Sequence, residues 1–175
     1  MKELGRLLSH GLRHAPERLG ISIGENGWTP VEPLIAQARK AGFKIDRVVL
    51  ERVVAENDKQ RFTLSADGQS IRAAQCHSIA IDLGLEPSEP PEALFHGTAR
   101  HNLDEIFATG LVAGRRRHVH LSLSHETAIT VGGRHGTPVV LRIAARRMHA
   151  DGIAFWQADN MVWLTMLVPP AYLSF

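Results

Sequence analysis

Glu86-Pro87-Ser88-Glu89-Pro90-Pro91 divides a 175-residue chain into two halves of different character. Its prolines fix φ and withhold backbone donors, and no large apolar side chain anchors it. The segment therefore reads as a stiff, extended linker. Residues 1–85 read as helices followed by a hairpin, and residues 92–175 as short strands with one or two helices. A helical lobe beside a strand-rich lobe makes the whole α+β.

Upstream of the linker, Gln60 to Ser65 alternates as a strand, Asp67-Gly68 predicts a hairpin turn, and Ile71-Arg72-Ala73 returns. Arg61 falls on the face opposite Phe62 and Leu64, away from the core. Before the hairpin, Asp46 is placed to cap a helix carrying Val49, Leu50, Val53 and Val54. Thr29-Pro30-Val31-Glu32 reads as another helix start, with threonine as N-cap and glutamate completing a capping box. Val31, Leu34, Ile35 and Ala38 form its buried stripe, and Gly42 stops it. Leu4, Leu7, Leu8 and Leu12 mark the first helix, which must end before Pro16. Arg13 lies almost opposite that stripe and His14 at its margin, where cations suit the helix dipole. Helices followed by a hairpin are the order of a winged helix.

Downstream, Ala93 to His96 predicts a strand ending in a tight turn at Gly97-Thr98. Asn102 to Phe107 is a short helix closed by Gly110. Arg115-Arg116-Arg117 then runs into the alternation His118-Val119-His120-Leu121-Ser122. On that strand His118, His120 and Ser122 share one face, with Val119, Leu121 and Leu123 packed behind. Ser124 caps a helix to Ile129, and Pro138 to Ile143 and Val162 to Val168 are β-rich strands.

The net charge of +2 and ten histidines permit an anionic partner without requiring one. Lys2, Glu3 and Arg6 interrupt any early apolar run, so neither a signal peptide nor a membrane span is expected. The single cysteine, Cys76, excludes an internal disulfide and a cysteine-based zinc site. The expected compartment is the cytoplasm.

A guanidinium cluster feeding a polar strand face suits anionic groups, because the planar fork matches phosphate oxygens and keeps its charge. Phosphate chemistry on a nucleotide is the reading that follows. Metal binding by His118 and His120, with His96 or His135, is opposed by the three arginines and by the lack of a carboxylate. Hydrolysis through Ser122 or Ser124 lacks the G-x-S-x-G elbow. Gly97, Thr98, His120 and Ser122 suit a dinucleotide, but no G-x-G-x-x-G supports a Rossmann dehydrogenase. A small domain with satisfied histidines also remains open at this point.

Several motifs add to this. They are Leu12-Arg13-His14, Gln60-Arg61-Phe62, Gln75-Cys76-His77-Ser78, His96-Gly97-Thr98, Arg116 to Ser122, Val131 to Leu141 and Val162-Trp163-Leu164-Thr165. In this order, over nearly the whole chain, they resemble the RNA (tRNA) 2′-phosphotransferase family. The resemblance implies a winged-helix RNA lobe (1–85), a linker (86–91) and an ADP-ribosyltransferase-like lobe (92–175) that binds NAD⁺ as co-substrate. It implies removal of an internal RNA 2′-phosphate through an ADP-ribosylated 2′-phosphate intermediate, releasing nicotinamide and ADP-ribose 1″,2″-cyclic phosphate. The substrate would be a tRNA-like RNA; neither a metal nor a dimer is needed.

The family's catalytic Arg-His-Arg-Arg set falls on Arg13, His14, Arg61 and Arg116. Arg116 is preferred to its neighbours because it stands four residues before the histidine of the His-Leu-Ser motif, here His120. The NAD⁺ pocket falls on His96, Gly97, Thr98, His120, Leu121 and Ser122. Cys76 and Met161 stand where the family often has glycine. No glutamate occurs from Gly152 to Phe175, which suits a nucleophile that arrives as an anion and needs no base. The alternatives are an ADP-ribosyltransferase that stops after the first step, on a nucleic-acid end or a protein, and a nucleic-acid-binding regulator indifferent to NAD⁺.

Overall fold

A computed structural model of the chain describes residues 2–57, 60–75, 77–79, 81–114, 116–134 and 136–175. Cys76, Arg115 and His135 lie outside the described residues. The chain forms two compact units, Met1–Gly84 and Leu85–Phe175, and combines helices with small antiparallel sheets. It is α+β. No helix among the described residues is long and apolar enough to cross a membrane.

In the first unit, α1 (Lys2–Arg13) buries Leu4, Leu8 and Leu12 against α3 (Val31–Lys40) and α4 (Arg47–Ala55) in one apolar cluster. A short α2 (Pro16–Leu19) starts on proline and closes on Gly20, whose φ of +69° few other residues adopt cheaply. Asp46 caps α4 by accepting the Val49 amide at 2.8 Å, as its position predicts. β1 (Thr29–Pro30), β2 (Phe62–Leu64) and β3 (Ser70–Ala73) form a sheet in the order β1-β3-β2, with Phe62 opposite Ala73. Gly68 turns the β2–β3 hairpin at φ +68°.

Two expectations change here. Thr29 is not an N-cap: Thr29-Pro30 is drawn into the sheet opposite Ile71 and Ser70, and α3 begins at Val31 with no side-chain cap. Strand pairing satisfies more backbone groups than a capping box does. Arg13 is only 8% exposed despite standing opposite the leucines. Two segments distant in sequence meet it: the guanidinium reaches the Arg61 carbonyl, and the Ser78 amide bonds to the Arg13 carbonyl.

The second unit begins with the proline segment, which lies along β8 (Phe155–Gln157): Pro87 pairs with Trp156, and the Ser88 amide donates to the Phe155 carbonyl. β4 (Leu94–Ala99) leads through a 3-10 turn to α5 (Leu103–Thr109) and β5 (Leu111–Val112). Then come β6 (Val119–Leu121), α6 (His125–Gly132), β7 (Pro138–Ile143) and α7 (Ala145–Ala150). β8, β9 (Trp163–Thr165), β10 (Leu167–Val168) and β11 (Leu173–Ser174) complete the chain. The sheets run β11-β7-β4, β6-β9-β8 and β10-β5. Phe95 and Ser122 exchange two backbone hydrogen bonds (2.9 and 2.7 Å) that join β4 to the end of β6.

β4 does not turn at Gly97-Thr98, as the sequence suggests; it continues in register with β7, Gly97 opposite Val140 and Thr98 opposite Val139. Gly97 serves a close approach instead. A Cβ there would run into the Ala128 carbonyl oxygen, and one on Gly132 would lie 2.8 Å from the Thr98 oxygen. Thus α6, capped by Ser124 as expected, rests on β4 main chain to main chain. Val119 and Leu121 are buried, but Leu123 is 48% exposed because the chain has already left the strand for α6. Residues 162–168 divide between two sheets as β9 and β10, and α7 makes a third helix in this unit.

Met161 precedes β9 with φ +64°, in a turn where its amide donates to the Ala158 carbonyl. The left-handed region costs a side-chain-bearing residue roughly 1–2 kcal/mol, part of which glycine returns as chain entropy when it replaces that residue. Met161 is 56% exposed, so little packing is lost on truncation. Met161→Gly should therefore raise the urea midpoint by an equivalent of up to about 1 kcal/mol. A lowered midpoint would contradict this account of the turn.

Candidate active site

Arg13, His14 and Arg61 gather in the first unit. The last turn of α1 presents Arg13, His14 follows it directly, and Arg61 immediately precedes β2. The Arg13 guanidinium donates through Nη2 to the Arg61 carbonyl at 3.3 Å, joining the two segments. Arg61 Nη1 donates to Asn57 Oδ1 at 3.0 Å, which restrains a long side chain after α4. His14 is exposed, and its Nδ1 lies 2.9 Å from Ser78 Oγ. His14 and Arg61 line one open groove of about 610 Å³, together with Lys2, Arg6, His10 and Asn57. An imidazole and a fixed guanidinium on one groove, backed by a second guanidinium, make a site for a multiply charged anion.

The remaining candidates lie in the second unit. Arg116 is exposed in the loop before β6. Its charge disfavours protonation of both His96 and His120, secondary in each to the burial that strips the imidazoles of water. His120 is thereby pushed down to about 3, and His96 is lowered as well. The His120 carbonyl accepts from His96 Nδ1 at 3.1 Å. This fixes the tautomer of neutral His96 and leaves Nε2 as an acceptor. Ser122 uses its backbone N–H and carbonyl on Phe95, leaving the hydroxyl for other partners. Thr98 is buried, and its hydroxyl accepts from Asn102 Nδ2 at 3.2 Å. Leu121 is wholly buried in the apolar cluster, so only its backbone is left for a ligand. His118 stands 5.4 Å from the Trp156 ring rather than sharing the polar face of a strand, since β6 begins only at Val119. Among the described residues, no three His, Cys, Asp or Glu side chains gather as a metal site requires.

Half-buried, neutral His120 links stability to pH. Its folded value lies below the ordinary 6.5, so the unfolded chain binds more protons across the interval. The stabilisation is complete above about pH 6.5 and is lost as pH falls towards about 3, at up to about 1.4 kcal/mol per pH unit. The melting temperature of the native chain should fall between pH 7 and pH 5 more steeply than that of His120→Gln. Parallel curves would disprove the linkage.

Nothing in the sequence marks Asn57 or Trp156 for a role, and Ser78 stands out only as part of the Gln75-Cys76-His77-Ser78 motif. Each is tied to its partner by long-range folding or by a loop, and no periodicity marks them. Gly132 was likewise invisible as the counterpart of Gly97.

A family model described as RNA 2′-phosphotransferase, Tpt1 / KptA family, matches residues 1–166. A probable RNA 2′-phosphotransferase of Agrobacterium fabrum is 53% identical over 169 residues, covering 97% of this chain and 91% of that protein. The protein of the same name in Pectobacterium carotovorum is 49% identical over 173 residues, covering 98% and 93%. That of Pseudomonas aeruginosa PAO1 is 48% identical over 174 residues, covering 99% and 96%.

Proposed function

This chain belongs to the RNA 2′-phosphotransferase, Tpt1 / KptA family, and we propose that it transfers an internal 2′-phosphate from a tRNA-like RNA to NAD⁺. In this reading the first unit is a winged-helix RNA lobe and the second an ADP-ribosyltransferase-like lobe. The three-helix packing with a hairpin sheet supports the first assignment. The small antiparallel sheets around His96 and His120 support the second. The observation that carries the proposal is that His14 and Arg61, distant in sequence, line one groove with Arg13 bonded behind them.

NAD⁺, when bound, supplies the ribose carbon that accepts the phosphate oxygen as nicotinamide leaves. Neutral His96 and His120 add no positive charge beside that cationic centre, and His96 Nε2 is left to accept from a ribose hydroxyl. Ser122 Oγ and the backbone at Gly97 and Leu121 complete the proposed pocket. Arg13 and Arg61 neutralise the phosphoryl oxygens, on which charge grows when the ribose 2″-hydroxyl attacks phosphorus and the bond to the RNA 2′-oxygen breaks; the family resemblance assigns Arg116 the same task. His14 is the group suited to hydrogen-bond the phosphate or to give the departing 2′-oxygen its proton.

The test is to incubate the protein with NAD⁺ and an oligonucleotide bearing one internal 2′-phosphate. RNA with a free 2′-hydroxyl, nicotinamide and ADP-ribose 1″,2″-cyclic phosphate are the expected products. A stable ADP-ribosylated RNA would favour a transferase that stops after one step, and RNA binding unaffected by NAD⁺ would favour a regulator.

A further inference from the structure

The groove that holds His14 and Arg61 does not end there. Lys2, Arg6 and His10 recur every four residues along α1, His14 continues the spacing just past its end with its amide bonded to the His10 carbonyl, and all four line the groove. Such positions form one ridge of a helix, each step rising about 6 Å. That step is comparable to the separation of neighbouring phosphates on a nucleic-acid strand. Ser9 adds a hydroxyl between the cations, and Gly5 leaves the ridge flank low; a Cβ there would meet nothing. Lys2, Arg6 and His10 are exposed, and neither Lys2 nor Arg6 is ion-paired with a described carboxylate. The opposite wall comes from Val53, Glu56, Asn57 and Arg61. Glu56 is the one carboxylate among the lining residues, set against five cationic or protonatable side chains on a solvent-open channel.

We propose that the Lys2–Arg6–His10 ridge is a backbone track for the RNA strand flanking the 2′-phosphate. It binds successive phosphodiesters and leads the modified nucleotide to His14 and Arg61. This rests on the function proposed above and adds a subsite to it. The contacts are to phosphates, so the track reads no sequence; it sets position, affinity and salt dependence. A strand, rather than a duplex, is the occupant, because a single-file ridge of cations beside one wall follows one backbone.

The test compares the native protein with a Lys2→Gln/Arg6→Gln double variant on a long single-stranded RNA and on a dinucleotide, each carrying one 2′-phosphate. For the long RNA the variant should show a KM raised about tenfold at low salt, with kcat retained. Its plot of log KM against log salt should be shallower by about 1.4, from the loss of two single-strand contacts. For the dinucleotide the two proteins should differ by less than about twofold, since no flanking phosphate reaches the ridge. Lys40→Gln, exposed on α3 outside the groove, should keep the native salt slope. An unchanged KM on long RNA, or an equal rise on both substrates, overturns the track. So does a polyglutamate peptide competing as well as RNA of equal charge. Should the native protein turn over neither substrate, the function above fails, and the salt slope taken from a binding titration still decides the track.

Discussion

Arg116→Gln should lower the rate of 2′-phosphate transfer by about 10²–10³-fold while leaving the melting temperature nearly unchanged. The two halves of that result have separate causes. Arg116 is exposed in the loop before β6, so removing its charge opens no cavity and strands no buried partner. The proposed chemistry has no metal and no general base to absorb the loss of a cation, so a missing guanidinium shows directly in the transition state. His96 and His120 would both protonate more readily without that charge beside them, which gives a spectroscopic check that the substitution acted where intended. Arg117→Gln, its neighbour in sequence, should cost much less. Equal losses at both positions would mean that the loop acts through bulk charge and that no single arginine is aimed at phosphate.

The second large effect is on folding. Gly97→Ala should destabilise the protein by about 3 kcal/mol or more, enough to lower the melting temperature by over 10 °C or to abolish soluble expression. One methyl group is small, but it would be driven into the Ala128 carbonyl oxygen and the Gly132 amide, which are backbone atoms with no rotamer to escape into. Overpacking against a side chain is commonly relieved by rotation; here α6 must lift from β4. Gly133→Ala makes the control. Its φ is −61° and its closest contact would be 3.4 Å from the Ile129 oxygen, so that variant should melt within a degree or two of the native protein. If Gly97→Ala melts alongside it, the helix-on-strand contact is looser than the geometry states.

Periodic features were legible in the sequence, and contacts between main chains were not. The leucine stripe of α1, the Asp46 and Ser124 caps and the Asp67-Gly68 hairpin all stand where local chemistry puts them. Thr29-Pro30 misled because a capping signal and a strand edge use the same residues, and the partner that decides between them, Ser70 to Ala73, lies far along the chain. Gly97-Thr98 misled for a related reason: glycine signals either a turn or a close approach, and only the position of α6 separates these. As for the candidate site, Arg13, His14 and Arg61 stand out through resemblance rather than periodicity. Helical spacing alone put Arg13 on the solvent side of α1. Nothing local announces that Arg61 and Ser78, far along the chain, bond to it and that it is buried.

That burial has a lasting effect on how the protein can change. A guanidinium withdrawn from water needs hydrogen-bond partners that an apolar side chain would not, so if Arg13 has the proposed role, a tighter-folding first unit and a working one favour different residues at position 13. Under the proposed role of Arg13, selection for robustness must then act elsewhere, on turns such as the one at Met161.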